Sequence, residues 1–229
     1  MDLVIILIIS IVLLLFGALA FDFNMKKVKE FEKNKELDKV ANKYPENIDM
    51  CKQYLKMLKN KDVKIENDEN VKSSLYIAIS NKIVIANIKD SYTRIQTIAH
   101  ECLHSVQSRK LLLVNFWFSN LYILYFTVIC VLAIFNRLHN ELLFVAILIL
   151  LSMMYCLIRN YLENDAMTKS RFLAEKYMIK QKISTDEEIE KMVNEFEKLN
   201  ELGIKSTNFY LYVTTMVKII IFSIICLII

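Results

Sequence analysis

Residues 100–110, HECLHSVQSRK, run straight into LLLVNFWFSNLYILYFTVICVLAIF (111–135). After NRLHNE (136–141) comes a second apolar run, LLFVAILILLSMMYCLI (142–158), and then RNYLENDA (159–166). Each run is close to the ~20 apolar residues that cross a bilayer as a helix. The short polar link between them predicts a tight transmembrane hairpin. Two crossings bring the chain back to the face it left. The residues before Leu111 and those after Ile158 therefore share one side of the membrane.

Two more apolar runs lie at the ends. Leu3–Phe21 carries no charge. Ala18-Leu19-Ala20 imitates a signal-peptide cleavage site, but the run starts with Met1-Asp2 rather than a basic stretch. Lys26, Lys27 and Lys29 come after it, which favours an uncleaved anchor with its N-terminus outside. Phe209–Ile229 has Lys218 at its middle, and a charge at the bilayer centre costs at least about 2.5–3.5 kcal/mol. Lys218 either snorkels to the surface or packs against protein. The segment is expected to associate with the membrane without crossing it cleanly.

The 229 residues are 55% hydrophobic yet 24% charged, which is consistent only if the apolar residues are gathered in blocks. Two Gly and one Pro exclude collagen-like and loop-rich β classes. Five Cys without paired spacing exclude a disulfide scaffold. A net charge of +4, with bases and acids interleaved, argues against a nucleic-acid partner. Arg109, Lys110 and Arg159 flank the inner ends of the hairpin, so both polar regions are read as cytoplasmic. The organisation is then an anchor (1–21), a cytoplasmic region (22–110), the hairpin (111–158), cytoplasmic helices (159–208) and a C-terminal membrane segment (209–229). The fold class is a mainly α membrane protein with three to four transmembrane helices and a small β-hairpin.

Within the polar regions, Met25–Lys43 reads as an exposed helix interrupted by Pro45, and Asn47–Asn60 as a second. The Lys and Glu run from Lys26 to Lys39 is a solvated face that could also touch anionic lipid headgroups. Leu75–Ile79 and Ile83–Ile88 form the hairpin around Ser80-Asn81-Lys82. The second of these strands either offers an edge to an extended peptide or packs as ordinary sheet. Thr93–Arg109 reads as a helix able to run on into the second span. Asn160–Lys182 is a helix emerging from the third. Ser184 or Thr185 caps the next, with Glu187 and Glu188 at the reciprocal positions, and Gly203 ends it.

His100-Glu101-Cys102-Leu103-His104 carries the chemistry. Residues four apart share a helix face, so both imidazoles can meet one Zn²⁺. Glu101, next to His100, is placed to act on a metal-activated water as general base. A third protein ligand is needed. His139 lies in the outer loop, across the bilayer from the motif. Glu163 and Asp165 return to the motif's own side. They point about 200° apart on a helix, so one of them can face the metal easily. The two-His-plus-Glu donor set favours Glu163. Cys102 sits on the far face and reads as a core thiol, Cys51 as a lone thiol, and Cys130, Cys156 and Cys226 as packing residues in the spans.

The run His100–Gln107, with Glu163-Asn164-Asp165-Ala166 after the hairpin, resembles the membrane-bound neutral zinc metallopeptidases of bacteria, the YugP-like family. The similarity covers most of the chain: length, anchor, motif, hairpin, second motif and apolar C-terminus. Leu103, Ser105 and Met167 stand where that family usually has Gly, Ala and Ser, which marks a divergent member. The resemblance implies one zinc per chain held by His100, His104 and Glu163, with Glu101 as base and Asp165 behind the ligands. It implies a peptide or protein substrate and a bacterial cell membrane. The intramembrane prenyl-protein peptidases share the same two-part logic. Tyr161, close to Glu163 in sequence, is a candidate to assist the oxyanion. The competing reading is a catalytically idle membrane scaffold or zinc sensor that keeps the motif for structure.

Overall fold

The computed structural model describes residues 2–21, 33–68, 71, 73–86 and 91–229. Among them seven helices and one three-stranded sheet occur in the order α1 (Asp2–Ala20), α2 (Lys35–Ala41), α3 (Asn47–Met57), β1 (Lys64–Asp68), β2 (Leu75–Ile77), β3 (Lys82–Ala86), α4 (Arg94–His104), α5 (Arg109–Ile134), α6 (Glu141–Gln181) and α7 (Asp186–Ile228). The fold is mainly helical, and α1, α5, α6 and α7 are each long and apolar enough to cross a membrane. That is the composition of an integral membrane protein. The contacts divide the chain into an apolar unit (Met1–Phe23, Val114–Tyr161, Lys205–Ile229) and a polar unit (Asn24–Leu113, Leu162–Ile204).

In the apolar unit, Tyr122, Ile129, Val145, Leu148, Ile219 and Phe222 form a buried seam between helices. The outward faces of α1 and α5 carry exposed apolar residues such as Leu15, Phe16, Leu121 and Leu124. Lys218 does not break α7. Its Nζ lies 3.9 Å from the centroid of the Tyr122 ring, a cation–π contact that substitutes for part of its lost hydration. The fourth apolar run is one uninterrupted helix, long and apolar enough to cross, and of the two readings of Lys218 the packing against protein holds. Gly17 admits the Tyr212 ring, with which a Cβ at this position would collide. The Tyr212 hydroxyl then reaches the Leu13 carbonyl.

The polar unit is built on a continuous core in which Tyr54, Tyr92, Tyr177, Phe196, Ile95 and Ile98 are buried. Asn34, expected within a helix, lies outside α2 and caps it: its side chain accepts from the Glu36 and Leu37 backbone N–H groups. The expected helical residues 25–32 lie outside the described residues. Thr185, rather than Ser184, caps α7. Thr185 Oγ1 accepts from the Glu188 N–H (3.2 Å), and Glu188 Oε2 accepts from the Thr185 N–H (3.1 Å). Lys43 Nζ bridges to Glu188 at 2.7 Å. That ammonium and the Thr185 N–H hold the Glu188 carboxyl below its usual range.

Two expectations fail here, each for a local reason, and one open reading is decided. Gly203 does not end its helix. It has no positive φ, and its cost of about 1 kcal/mol relative to Ala cannot stop a helix that packs on both sides of it. The helix carrying the His pair stops at His104 instead of running into the next span. Val106 and Gln107 N–H groups turn back to the Leu103 and His104 carbonyls before α5 begins. Of the two readings of the strand Lys82–Ala86, ordinary sheet packing holds and the edge does not. The sheet order is β1-β3-β2, with β1 parallel and β2 antiparallel to it, so both its sides are paired. Ile83, Val84, Ile85 and Ala86 are all buried, as a central strand requires. The remainder of the expected strand, 87–88, lies outside the described residues.

Arg94 fixes α4 in this unit. Its guanidinium is buried and donates to the carbonyls of Pro45 (2.8 Å), Ala41 (2.7 Å) and Tyr44 (2.9 Å) and to Asn47 Oδ1 (2.8 Å). It thereby closes the end of α2 and the start of α3 against the His-bearing helix. Arg94→Met should cost about 3 kcal/mol, because several buried acceptors lose a charged donor at once. A melting curve of the purified variant checks this, and an unchanged midpoint would refute it.

Candidate metal centre

The two imidazoles meet because α4 is a regular helix through both. His100 and His104 rings stand at 90° with centroids 4.6 Å apart, and their Nε2 atoms are 3.0 Å apart. Glu163, on α6, brings Oε2 to 3.4 Å from His100 Nε2 and 3.7 Å from His104 Nε2. The donor atoms of the three residues lie within 4.8 Å of one another. Ligand bonds of 2.0–2.1 Å in a tetrahedron put neighbouring donors about 3.3 Å apart. Distances of 3.0, 3.4 and 3.7 Å bracket that edge, so the cluster can hold a metal ion.

A side chain the motif does not contain orients one imidazole. His104 Nδ1 lies 2.8 Å from Gln107 Oε1. With the proton on Nδ1 donated to that oxygen, Nε2 keeps its lone pair for a metal. Gln107 Nε2 donates onward to the Leu162 carbonyl (2.8 Å) and to Asp165 Oδ2 (3.0 Å). Gln107 thus ties the turn after α4 to the stretch of α6 that carries Glu163. Asp165 does not face the metal cluster. It receives Gln107 and the Lys169 ammonium (2.5 Å). Burial raises its pKa, but those two donors outweigh burial and leave the carboxyl below its usual value.

Glu101 is buried, and its Oε2 accepts from the Tyr76 backbone N–H on β2 at 2.6 Å. Burial raises its pKa; the His100 and His104 rings and the Tyr76 N–H only partly offset it, and Glu163 adds to the rise. A carboxylate with a raised pKa is a stronger base. His104 is the opposite balance. Burial alone lowers its pKa, but Glu163, Glu101 and Gln107 together hold it above the usual imidazole value.

Cys102 faces away from the cluster, as expected of a core thiol. Its Sγ is 3.6 Å from Cys51 Sγ, so Cys51 is not the lone thiol its sequence context implied. Burial, and then the neighbouring Cys51, push the Cys102 thiol up, which keeps it protonated. Tyr161 is 64% exposed and belongs to the apolar unit, and among the described residues no contact places it at the cluster. Two features of the site are not legible in the sequence: the Tyr76 contact to Glu101, and the bonding of Gln96 to Ser170 and Asn200. The first uses a backbone group, and the second is assembled from three separate elements. Comparisons with protein-family models, with curated proteins and with solved structures found no match.

The charge balance fixes a pH trend. His104 and Glu101 both have folded pKa values above their unfolded ones, so each stabilises the metal-free fold at low pH. That contribution is complete below the unfolded values, about 6.5 and 4.3. It is lost as pH rises through the folded values. Metal binding needs the neutral imidazole, so it reverses the His104 dependence. The metal-free protein should lose thermal stability as pH rises above about 6.5 through His104, while the zinc-loaded protein gains it. Parallel trends in the two forms would contradict the assignment. Gln107→Leu should weaken metal binding by about 10–100-fold, measured by competition with a chelator.

Proposed function

We propose that this chain is a membrane-embedded zinc-dependent metallopeptidase, a divergent member of the YugP-like family. The reading rests above all on one observation: a buried carboxylate, Glu101, sits beside a His100–His104–Glu163 cluster of near-tetrahedral spacing. Zinc is the ion proposed, since two imidazoles and one carboxylate are the donor set of catalytic zinc sites with an open position. Bound there, zinc supplies Lewis acidity and lowers the pKa of water.

The residues then divide the work. His100, His104 and Glu163 hold the ion, and Gln107 fixes the His104 ring with Nε2 forward. Glu101 takes a proton from the attacking water and returns it to the departing amine. The Tyr76 N–H holds one carboxylate oxygen, which leaves the other for the proton. Among the described residues β2 has β3 on one side only. Its other side carries the Tyr76 N–H to Glu101, so an extended peptide laid along β2 would run past the base. This replaces the central strand as the edge on offer.

A purely structural zinc site fits less well. Such sites close with four protein ligands, usually including Cys. Among the described residues the cluster has three donors, and the Cys102 thiol packs on Cys51. Positive charge at Arg109, Lys110 and Arg159 supports a cytoplasmic site, and the Lys-, Ile- and Asn-rich composition supports a bacterial membrane.

Detergent-purified protein should carry about one zinc per chain. Glu163→Ala should lose it. Glu101→Gln should keep it while peptide cleavage falls by about 10²-fold or more. Cleavage that persists in Glu101→Gln would sink the mechanism. A zinc-free parent would instead favour the idle-scaffold reading.

A further inference from the structure

A cavity of about 250 Å³ opens beside His100. Its walls include Gln96 of α4, Met167 and Ser170 of α6, and Asn200 and Gly203 of α7. We propose that this cavity is a specificity subsite that accepts one uncharged, medium-to-large side chain of the peptide next to the cleaved bond. The proposal rests on the peptidase reading and names the substrate class of that site.

Position comes first. His100 belongs both to the metal cluster and to the cavity wall. A side chain seated in the cavity therefore leaves its own backbone beside the cluster. Size comes next. About 250 Å³ is room on the scale of one side chain.

The lining decides the chemistry. Among the described residues His100 is its only titratable group, and no Lys, Arg, Asp or Glu contributes. Two of its polar side chains, Gln96 and Ser170, are already hydrogen-bonded. Gln96, 7% exposed, donates to Ser170 Oγ at 3.1 Å and also to Asn200 Oδ1. Ser170 Oγ donates to the Met167 carbonyl at 2.7 Å. An apolar occupant leaves none of these bonds broken. A charged occupant would meet no opposite charge in the lining, which disfavours it. The amide and hydroxyl groups still permit an uncharged polar tip such as that of Gln.

Gly203 keeps the cavity open. A Cβ there would touch Met167 Sδ and Cε at 3.4 Å, an ordinary contact. Ala fits, whereas a longer side chain must displace Met167 and take its volume from the cavity. The helix could hold Ala at this point and gain stability. Its glycine is thus explained by the space it leaves rather than by the backbone.

The test uses zinc-loaded full-length protein in detergent and a decapeptide library randomised at every position, with products read by mass spectrometry. In the parent, one position flanking the cleaved bond should favour Leu, Met, Phe and Gln. Asp, Glu, Lys and Arg should be depleted there at least tenfold. Gly203→Leu should move the preference at that position alone toward Gly, Ala and Ser, by at least tenfold. Gly203→Ala, which the helix accommodates, should disfavour Phe by about tenfold with zinc content unchanged. Parental preferences in both variants, or a charged residue favoured at that position, would overturn the subsite and leave the peptidase intact. Cleavage by the parent no greater than that of zinc-loaded Glu101→Gln would overturn the peptidase reading, and the subsite with it.

Discussion

The amide of Gln107 makes the arrangement possible. Its oxygen takes the His104 ring, and its nitrogen reaches the Leu162 carbonyl and Asp165. Helix geometry by itself aligns His100 with His104, but nothing in α4 determines where Glu163 must be. A side chain that bonds to α4 at one end and to the Glu163 turn of α6 at the other links the two. Because it does so next to a candidate donor, the same contact sets both the tautomer of His104 and the position of the third donor.

The helix that carries the motif serves two environments at once. One face offers His100 and His104 to the cluster. The other buries Ile95, Ile98, Ala99 and Cys102 in the core, with Arg94 anchoring its start. Glu101 lies between the two faces, which is why it is both desolvated and in reach of the imidazoles. Its raised pKa is a consequence of being built into a core-facing helix, not of a separate device. β2 completes its surroundings with one backbone N–H, which costs no side-chain order.

The parts legible in the sequence are those written locally. His100, Glu101 and His104 sit within five residues, and the hairpin's two apolar runs say which later carboxylates return to their side. Thr185 and Glu188 announce a helix start in the same way. β1 escapes a sequence reading because Lys64-Ile65-Glu66-Asn67-Asp68 has neither alternation nor a buried face; it is held by backbone pairing to β3. That pairing makes Lys82–Ala86 the central strand. Gly203 reads as a stop because a glycine's local meaning depends on φ, and φ here is set by the helix packing around it.

Lys218 and Gly203 make one argument from opposite directions. Each breaks a local rule: a cation inside an apolar run, a glycine inside a helix. In both, the helix continues because a neighbour removes the penalty or makes use of the gap. For Lys218 the neighbour is the Tyr122 ring, whose electron-rich face offsets part of the lost hydration. For Gly203 it is Met167, whose thioether stops at contact distance from the missing Cβ. A propensity cost of about 1 kcal/mol is small beside the packing of a 43-residue helix, so propensity could not have ended it. It is at such positions, where local preference loses and the residue stays, that a packing or site-level reason should be sought first.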